Sequence, residues 1–232
     1  MKINNTDIKI FNAKQLKVDI QNSKIELSKE WLKKSLTPVE ISSKISFKPI
    51  KVELYFRGID RDSILKNISD LVLLLKNRSI LKFDNYSNSY VCFLEDTEIE
   101  KTIRKDRYKL NLSLQGFEIG SEVIETIDRL TSKTIHINGN LKTPCIVEIT
   151  PVIDMIDLTI TGLSEEPIIV KNLKGNKKII IDGIEGTVTQ DGINKFNDTD
   201  MWEFPFLVPG TNTITVNKDT CNIKIKYNPR FL

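Results

Sequence analysis

The sequence is poor in the residues on which most site chemistry depends. Its 232 residues include one histidine, His136, and three cysteines, Cys92, Cys145 and Cys221. The cysteines are odd in number, lie far apart and form no CxxC pair, which argues against a disulfide framework and a zinc site. They read as small buried hydrophobes. With one histidine, any histidine-based triad must be built around His136, in the strand-like run Thr134-Ile135-His136-Ile137. No GxSxG or comparable nucleophile motif accompanies it. No catalytic residue, metal ligand or cofactor site is assigned, and no cofactor is expected. Long apolar runs are missing too: the longest, Leu71-Val72-Leu73-Leu74-Leu75, is far short of the ~20 residues that cross a bilayer, so no membrane insertion is expected. The opening MKINNTDIKIFNAK interrupts its apolar residues with charged and amide ones and holds no secretory h-region, which points to synthesis in a cytoplasm. Charge of one sign is also lacking. Thirty-four Lys+Arg against 31 Asp+Glu leaves +3, too even a balance for the phosphate affinity of a nucleic-acid binder.

What is present is ordinary for a folded chain, with 40% hydrophobic and 28% charged residues. The length suggests ~1.5 domains at about 150 residues each. One segment reads as a helix, over 62–76. Asp60-Arg61-Asp62-Ser63 supplies cap and first-turn acid chemistry, and Ile64, Ile68, Leu71 and Leu75 recur at helical spacing, widened by Leu65 and Val72. Lys76 and Asn77 suit the carboxyl end. Elsewhere the period is two. Tyr108, Leu110, Leu112 and Leu114 share one face of a strand whose other face is polar, and Ile50, Val52, Leu54 and Phe56 alternate alike before Gly58. Two such strands beside one helix predict a sheet with the helix packed on a face.

From about Leu130 the texture changes. Turns become frequent at Asn138-Gly139, Thr161-Gly162, Lys174-Gly175, Asp182-Gly183, Asp191-Gly192 and Pro209-Gly210, with short β-branched runs between them, the punctuation of a β-sandwich. The expected division is a first domain over 1–130 and a second over 131–232. The fold class expected is mainly β, with a single helix in the N-terminal domain.

Three further features are candidates for function. Asn197-Asp198-Thr199-Asp200 places oxygens at alternate positions but lacks the glycine and distal glutamate of a calcium loop, so a solvated turn is the simpler reading. Trp202, Phe204 and Phe206 would share one face of an extended segment. That row either stacks a ligand or fills the sandwich core, with Pro205 at an edge or bulge. The stretch 24–49 is a long connection carrying Trp31, Leu32, Lys33 and Pro38; it either lies as an arm on a neighbouring subunit or folds back on its own sheet.

Taken in order, these strings resemble the phage distal tail proteins. The resemblance runs through Asp7-Ile8-Lys9-Ile10-Phe11-Asn12-Ala13 and the Trp31 arm, Val52-Glu53-Leu54-Tyr55-Phe56-Arg57-Gly58 before the helix, and Arg107-Tyr108-Lys109-Leu110 with Gly116-Phe117-Glu118-Ile119-Gly120. In the second half it includes Thr143-Pro144-Cys145-Ile146-Val147-Glu148-Ile149-Thr150-Pro151, Ile180-Ile181-Asp182-Gly183, Asp200-Met201-Trp202-Glu203-Phe204-Pro205 and Pro209-Gly210-Thr211-Asn212-Thr213-Ile214. It implies an N-terminal domain that assembles into a homo-hexameric ring and a galectin-like C-terminal β-sandwich. The protein would be a non-enzymatic part of the tail tip or baseplate of a phage or prophage-derived particle, made in the bacterial host cytoplasm. Its partners would be copies of itself, the tail tube protein, the tail hub or tail-associated protein and a receptor-binding protein, with no sequence-specific nucleic acid. The alternative is a carbohydrate-binding or adhesin module using the C-terminal sandwich; a hydrolase with unrecognised carboxylates ranks behind both.

Overall fold

The computed structural model describes residues 1–232 and divides into two compact units, Met1–Ile119 and Gly120–Phe231. The fold is mainly β, with multiple antiparallel sheets and one α-helix.

In chain order the first unit contains β1 (Lys2–Ile3), β2 (Thr6–Asp7), β3 (Ala13–Ile20), β4 (Ile25–Glu30), β5 (Val39–Ile45), β6 (Lys48–Arg57), α1 (Arg61–Leu73), β7 (Ser79–Lys82), β8 (Ser89–Lys101) and β9 (Arg107–Ile119). Its main sheet runs β2-β1-β7-β8-β9-β6-β3. The two alternating runs become its centre: β6 and β9 pair antiparallel, with Ile50 opposite Leu114, Val52 opposite Leu112, Leu54 opposite Leu110 and Phe56 opposite Tyr108. All eight side chains are buried, and they share a core with Ile64, Ile68, Leu71 and Leu75 from the helix and its carboxyl end. Strand periodicity therefore puts one face of the sheet on the core and leaves the other polar.

The helix starts as its sequence requires. The Asp60 carboxylate accepts the Ser63 N–H at 2.8 Å, and the Ser63 hydroxyl completes a reciprocal capping box. That hydrogen bond holds the exposed Asp60 carboxyl below the usual aspartate range. The helix ends at Leu73 rather than at the expected Lys76, because the N–H groups of Leu74, Leu75 and Lys76 bond three residues back, to Leu71, Val72 and Leu73. The last turn tightens and stops.

The second unit contains β10 (Val123–Asp128), β11 (Ser132–Ile137), β12 (Thr143–Pro151), β13 (Met155–Thr161), β14 (Ile168–Leu173), β15 (Ile179–Asp182), β16 (Thr187–Gln190), β17 (Ile193–Asn194), β18 (Thr199–Asp200), β19 (Phe206–Leu207), β20 (Gly210–Val216) and β21 (Cys221–Tyr227). One sheet runs β10-β21-β12-β15-β16-β17, with β19 beside β12; the other runs β11-β20-β13-β14-β18. Inward residues of both form one core, from Val147, Ile149, Ile223 and Ile225 on the first to Leu158, Ile160, Val170 and Ile214 on the second. This is a β-sandwich. Gly162 lets two of its strands close: its φ is +84°, and a Cβ there would stand 2.1 Å from the Thr213 carbonyl oxygen.

Strand β10 lies ahead of the expected division at Leu130 and yet belongs to the second unit. It pairs with β21 along its whole length, from Val123 opposite Tyr227 to Asp128 opposite Asn222. The change in turn frequency near Leu130 marks the start of short loops. The division itself falls between Ile119 and Gly120, where no comparable change of composition occurs.

Candidate assembly surfaces

The stretch 24–49 is neither an irregular loop nor a segment folded on its own sheet. Strands β4 and β5 pair with each other and with nothing else, from Ile25 opposite Ile45 to Glu30 opposite Val39, and every residue of both is exposed. Its base is clamped where the Lys24 N–H donates to Ser46 Oγ at 3.1 Å and the Ser46 N–H donates to the Lys24 carbonyl at 2.9 Å. Lys48 and Pro49, expected in the connection, already belong to β6. Ile25 and Leu27 share a face of this arm with Ile45, and Ile41 is the extra residue of a bulge, where the register shifts between Ser28 and Lys29. The result is an apolar ribbon face open to water. A lone two-stranded hairpin is marginal in water, so this one calls for cover.

The arm's tip is tied by hydrogen bonds. The Trp31 indole N–H donates to the Ser35 carbonyl at 2.9 Å, and the Ser35 N–H donates to the Leu32 carbonyl at 2.9 Å. Trp31 is nonetheless 66% exposed and Leu36 is 94% exposed. Of the expected interface residues, Trp31, Leu32 and Lys33 lie on this tip, and Pro38 precedes β5. An aromatic side chain held in place while exposed loses little freedom on docking.

Besides the two-residue β2 that ends the main sheet, two longer edges of it are open. Strand β3 pairs only with β6. Strand β8 meets β7 only through Tyr90–Cys92, so from Phe93 to Lys101 its outer edge has no strand beside it. The open half of β8 carries Glu95, Asp96, Glu98 and Glu100, all exposed; β3 carries Lys14 and Lys17, with one acid, Asp19. Between these edges the solvent face is polar and its charges are partly paired: Glu53 bonds Lys109 and raises the Lys109 pKa, and Asn111 donates to Glu100 at 2.7 Å. The shallow depression on this face, about 280 Å³, is lined by Lys17, Asp19, Lys51, Glu53, Glu98 and Asn111 among others.

Sequence reasoning missed a third surface. Phe47, Phe93 and Phe117 gather at the end of the sheet from which the arm leaves, with ring centroids 5.8 Å apart for Phe47–Phe93 and 6.5 Å for Phe47–Phe117. Phe47 is 46% exposed and Phe93 is 39% exposed. The alternation of β9 could have flagged Phe117, which falls on the face opposite Leu112 and Leu114; nothing in the sequence joins it to the other two.

In the second unit the aromatic row is broken up. Trp202 is 88% exposed and lies outside any strand, Phe204 packs partly against the core and against Phe196 at 6.0 Å, and Phe206 in β19 has Lys142 Nζ 4.5 Å over its ring. Neither a continuous stacking platform nor a set of three core rings results, and Pro205 is buried. Asp198 sits in a turn: it accepts from Asn172 at 2.8 Å and pairs with Lys195 at 2.7 Å, and these donors lower its pKa. His136 is exposed on β11. All three cysteines are buried and free, and burial raises their pKa values, to about 12 for Cys92. No group of three or more His, Cys, Asp and Glu side chains is arranged to hold a metal ion.

Residues 115–231 match the family profile described as siphovirus-type tail component, C-terminal domain. The chain belongs to the siphovirus-type tail component family. It is a phage distal tail protein, a structural component of the tail tip rather than an enzyme. Among solved structures, the Dit (gp 19.1) protein of phage SPP1, described as a paradigm of the hub adsorption apparatus in phages infecting Gram-positive bacteria, superposes with a TM-score of 0.74 at 12% identity. That match covers 99% of this chain and 98% of the other. A chain of the phage P2 baseplate in its activated conformation with Ca gives 0.58 at 12% identity, over 97% and 94%. The corresponding p2 baseplate structure with Sr gives 0.59 at 13%, over the same shares. At these identities the likeness is one of fold. A search of curated proteins found no match.

Proposed function

We propose that this distal tail protein forms a hexameric ring through its first unit and joins the tail tube to the hub and receptor-binding parts of the tip. The observation that carries the reading is the pair of unlike open edges. Strands β8, β9, β6 and β3 are antiparallel in succession, so β3 runs opposite to β8. The β3 edge of one copy therefore meets the open half of β8 on the next in the same antiparallel sense, lysines facing carboxylates. A contact between unlike surfaces repeats from copy to copy and makes a closed ring when the rotation suits. Six copies is the number implied by the resemblance to distal tail proteins. The second unit offers its sandwich to neighbouring tip proteins.

The test is assembly of the full chain, alone and with co-expressed tail-tube and hub partners, read by mass photometry and negative-stain electron microscopy. Closed six-fold rings are expected. Lys14→Glu with Lys17→Glu should abolish them, and adding Glu98→Lys with Glu100→Lys should restore them. Monomers alone under every condition, partners included, overturn the ring.

A further inference from the structure

Each long open edge of the first unit carries a single β-bulge, and we infer that the two bulges are matched keys that fix the register of the seam between copies. This key presupposes the edge pairing proposed above and names the residues that set it. The central pair of the sheet, β6 with β9, runs without a break from Lys48 opposite Gly116 to Arg57 opposite Arg107. The register shifts come on the strands outside it. Leu16 is the extra residue of β3, between Gln15 opposite Leu54 and Lys17 opposite Glu53, and Glu95 is the extra residue of β8, between Leu94 opposite Leu114 and Asp96 opposite Ser113. Both are exposed.

An extra residue interrupts the alternation of faces along an edge. The core side of β3 passes from Ala13 and Gln15 to Val18 and Ile20, and that of β8 from Leu94 to Thr97 and Ile99. A straight edge laid along either strand matches faces on one side of the bulge only, because a one-residue slip turns every later side chain to the opposite face. Two bulged edges brought level match on both sides. With Lys14 opposite Glu98, the antiparallel seam sets Ala13 against Ile99, Gln15 against Thr97, Val18 against Leu94 and Asp19 against Phe93, core side to core side and solvent side to solvent side. Leu16 and Lys17 then face Glu95 and Asp96, so both lysines meet carboxylates. A slip of two residues toward Lys101 sets Val18 against Asp96 and Lys17 against Thr97, core side against solvent side. The opposite slip sets Val18 against Cys92, which β7 already holds. The bulges therefore exclude straight edges as well as wrong registers of their own seam.

Deleting an extra residue straightens its strand without turning any core residue to the other face, so compensating deletions test the key. Full chains lacking Leu16, lacking Glu95, or lacking both are compared with the unaltered chain by mass photometry and negative-stain microscopy, with the tail-tube and hub partners co-expressed. Each single deletion should lower the ring fraction at least tenfold. The double deletion, whose edges match again with Lys17 opposite Asp96, should restore it. Circular dichroism and urea melts report whether each variant folds. Folded single-deletion chains that still form rings, or a folded double-deletion chain that does not, overturn the key and leave the ring standing. Where a deletion disturbs folding, disulfide formation decides instead. Gln15→Cys mixed with Thr97→Cys should cross-link at least tenfold more than Gln15→Cys mixed with Ile99→Cys, the native cysteines being buried. No such preference, or more product with Ile99→Cys, overturns the register. Monomers only from the unaltered chain, partners included, overturn the ring and the key with it.

Discussion

At the residue scale, burial and pairing follow side-chain chemistry closely. Leu54, Leu110 and Phe56 are buried because strand alternation puts them on the helix side, and that alternation was legible in the sequence. Glu148 is less legible. It lies on β12 across from Lys224 and takes charge contacts from Lys226 and Lys178. Burial would raise its pKa; the Lys226 hydrogen bond and the lysine charges outweigh burial and hold it below the ordinary glutamate value of 4.5. A carboxyl whose folded pKa is depressed adds stability above its unfolded pKa and loses it as pH falls through the folded one. Glu148→Gln should therefore lower the unfolding free energy at pH 7 by up to about 1 kcal/mol, the scale of partly exposed pairs. Urea melts should show the gap closing below the ordinary glutamate range; an equal gap at pH 7 and pH 3 would show that packing, not charge, is at stake.

At the element scale the arm is the feature of most consequence. Sequence length and the presence of Trp31 marked 24–49 as unusual, but not its pairing. Ile25 and Leu27, like Ile41 and Ile45, fall at period two, but that period shows neither that the two runs pair only with each other nor that a bulge at Ile41 shifts their register. The base of the arm also sets how much can be removed: Lys48 is buried and begins β6, so a deletion through Pro49 would damage the sheet. Replacing 25–45 by a short Gly-Ser turn removes the exposed residues of β4 and β5 and the tip between them. It should leave the urea midpoint of the full chain unchanged within error and abolish rings in mass photometry. A fall in unfolding free energy comparable with loss of a core leucine, about 2–5 kcal/mol, would mean that the arm supports its own sheet instead.

At the scale of the whole molecule, the two cores are built from separate stretches of chain. The second core draws only on residues from Ile127 to Tyr227, with Val123 packed against it, and the first ends at Leu114. A separate core is what a body that folds alone requires. A fragment beginning at Gly120 should give the cooperative unfolding and dispersed amide spectrum of a folded sandwich. A fragment beginning at Ser132, just past the division expected from composition, lacks β10 and leaves β21 an open edge. It should be markedly less stable or aggregate, and equal stability of the two fragments would place the boundary later.

The sequence by itself determined the strands β6 and β9, the helix and its cap, the sandwich turns and the poverty of reactive side chains, because each is written within a few neighbouring residues. Side-chain period says which face of a strand is buried. It does not say which strand lies alongside, and so the tertiary structure alone decided that β3 and half of β8 remain open, that β10 joins the second unit, and that Phe47, Phe93 and Phe117 meet. Those outcomes depend on pairing between segments far apart in the chain, where the competition among possible neighbours is settled by the packing of the whole core.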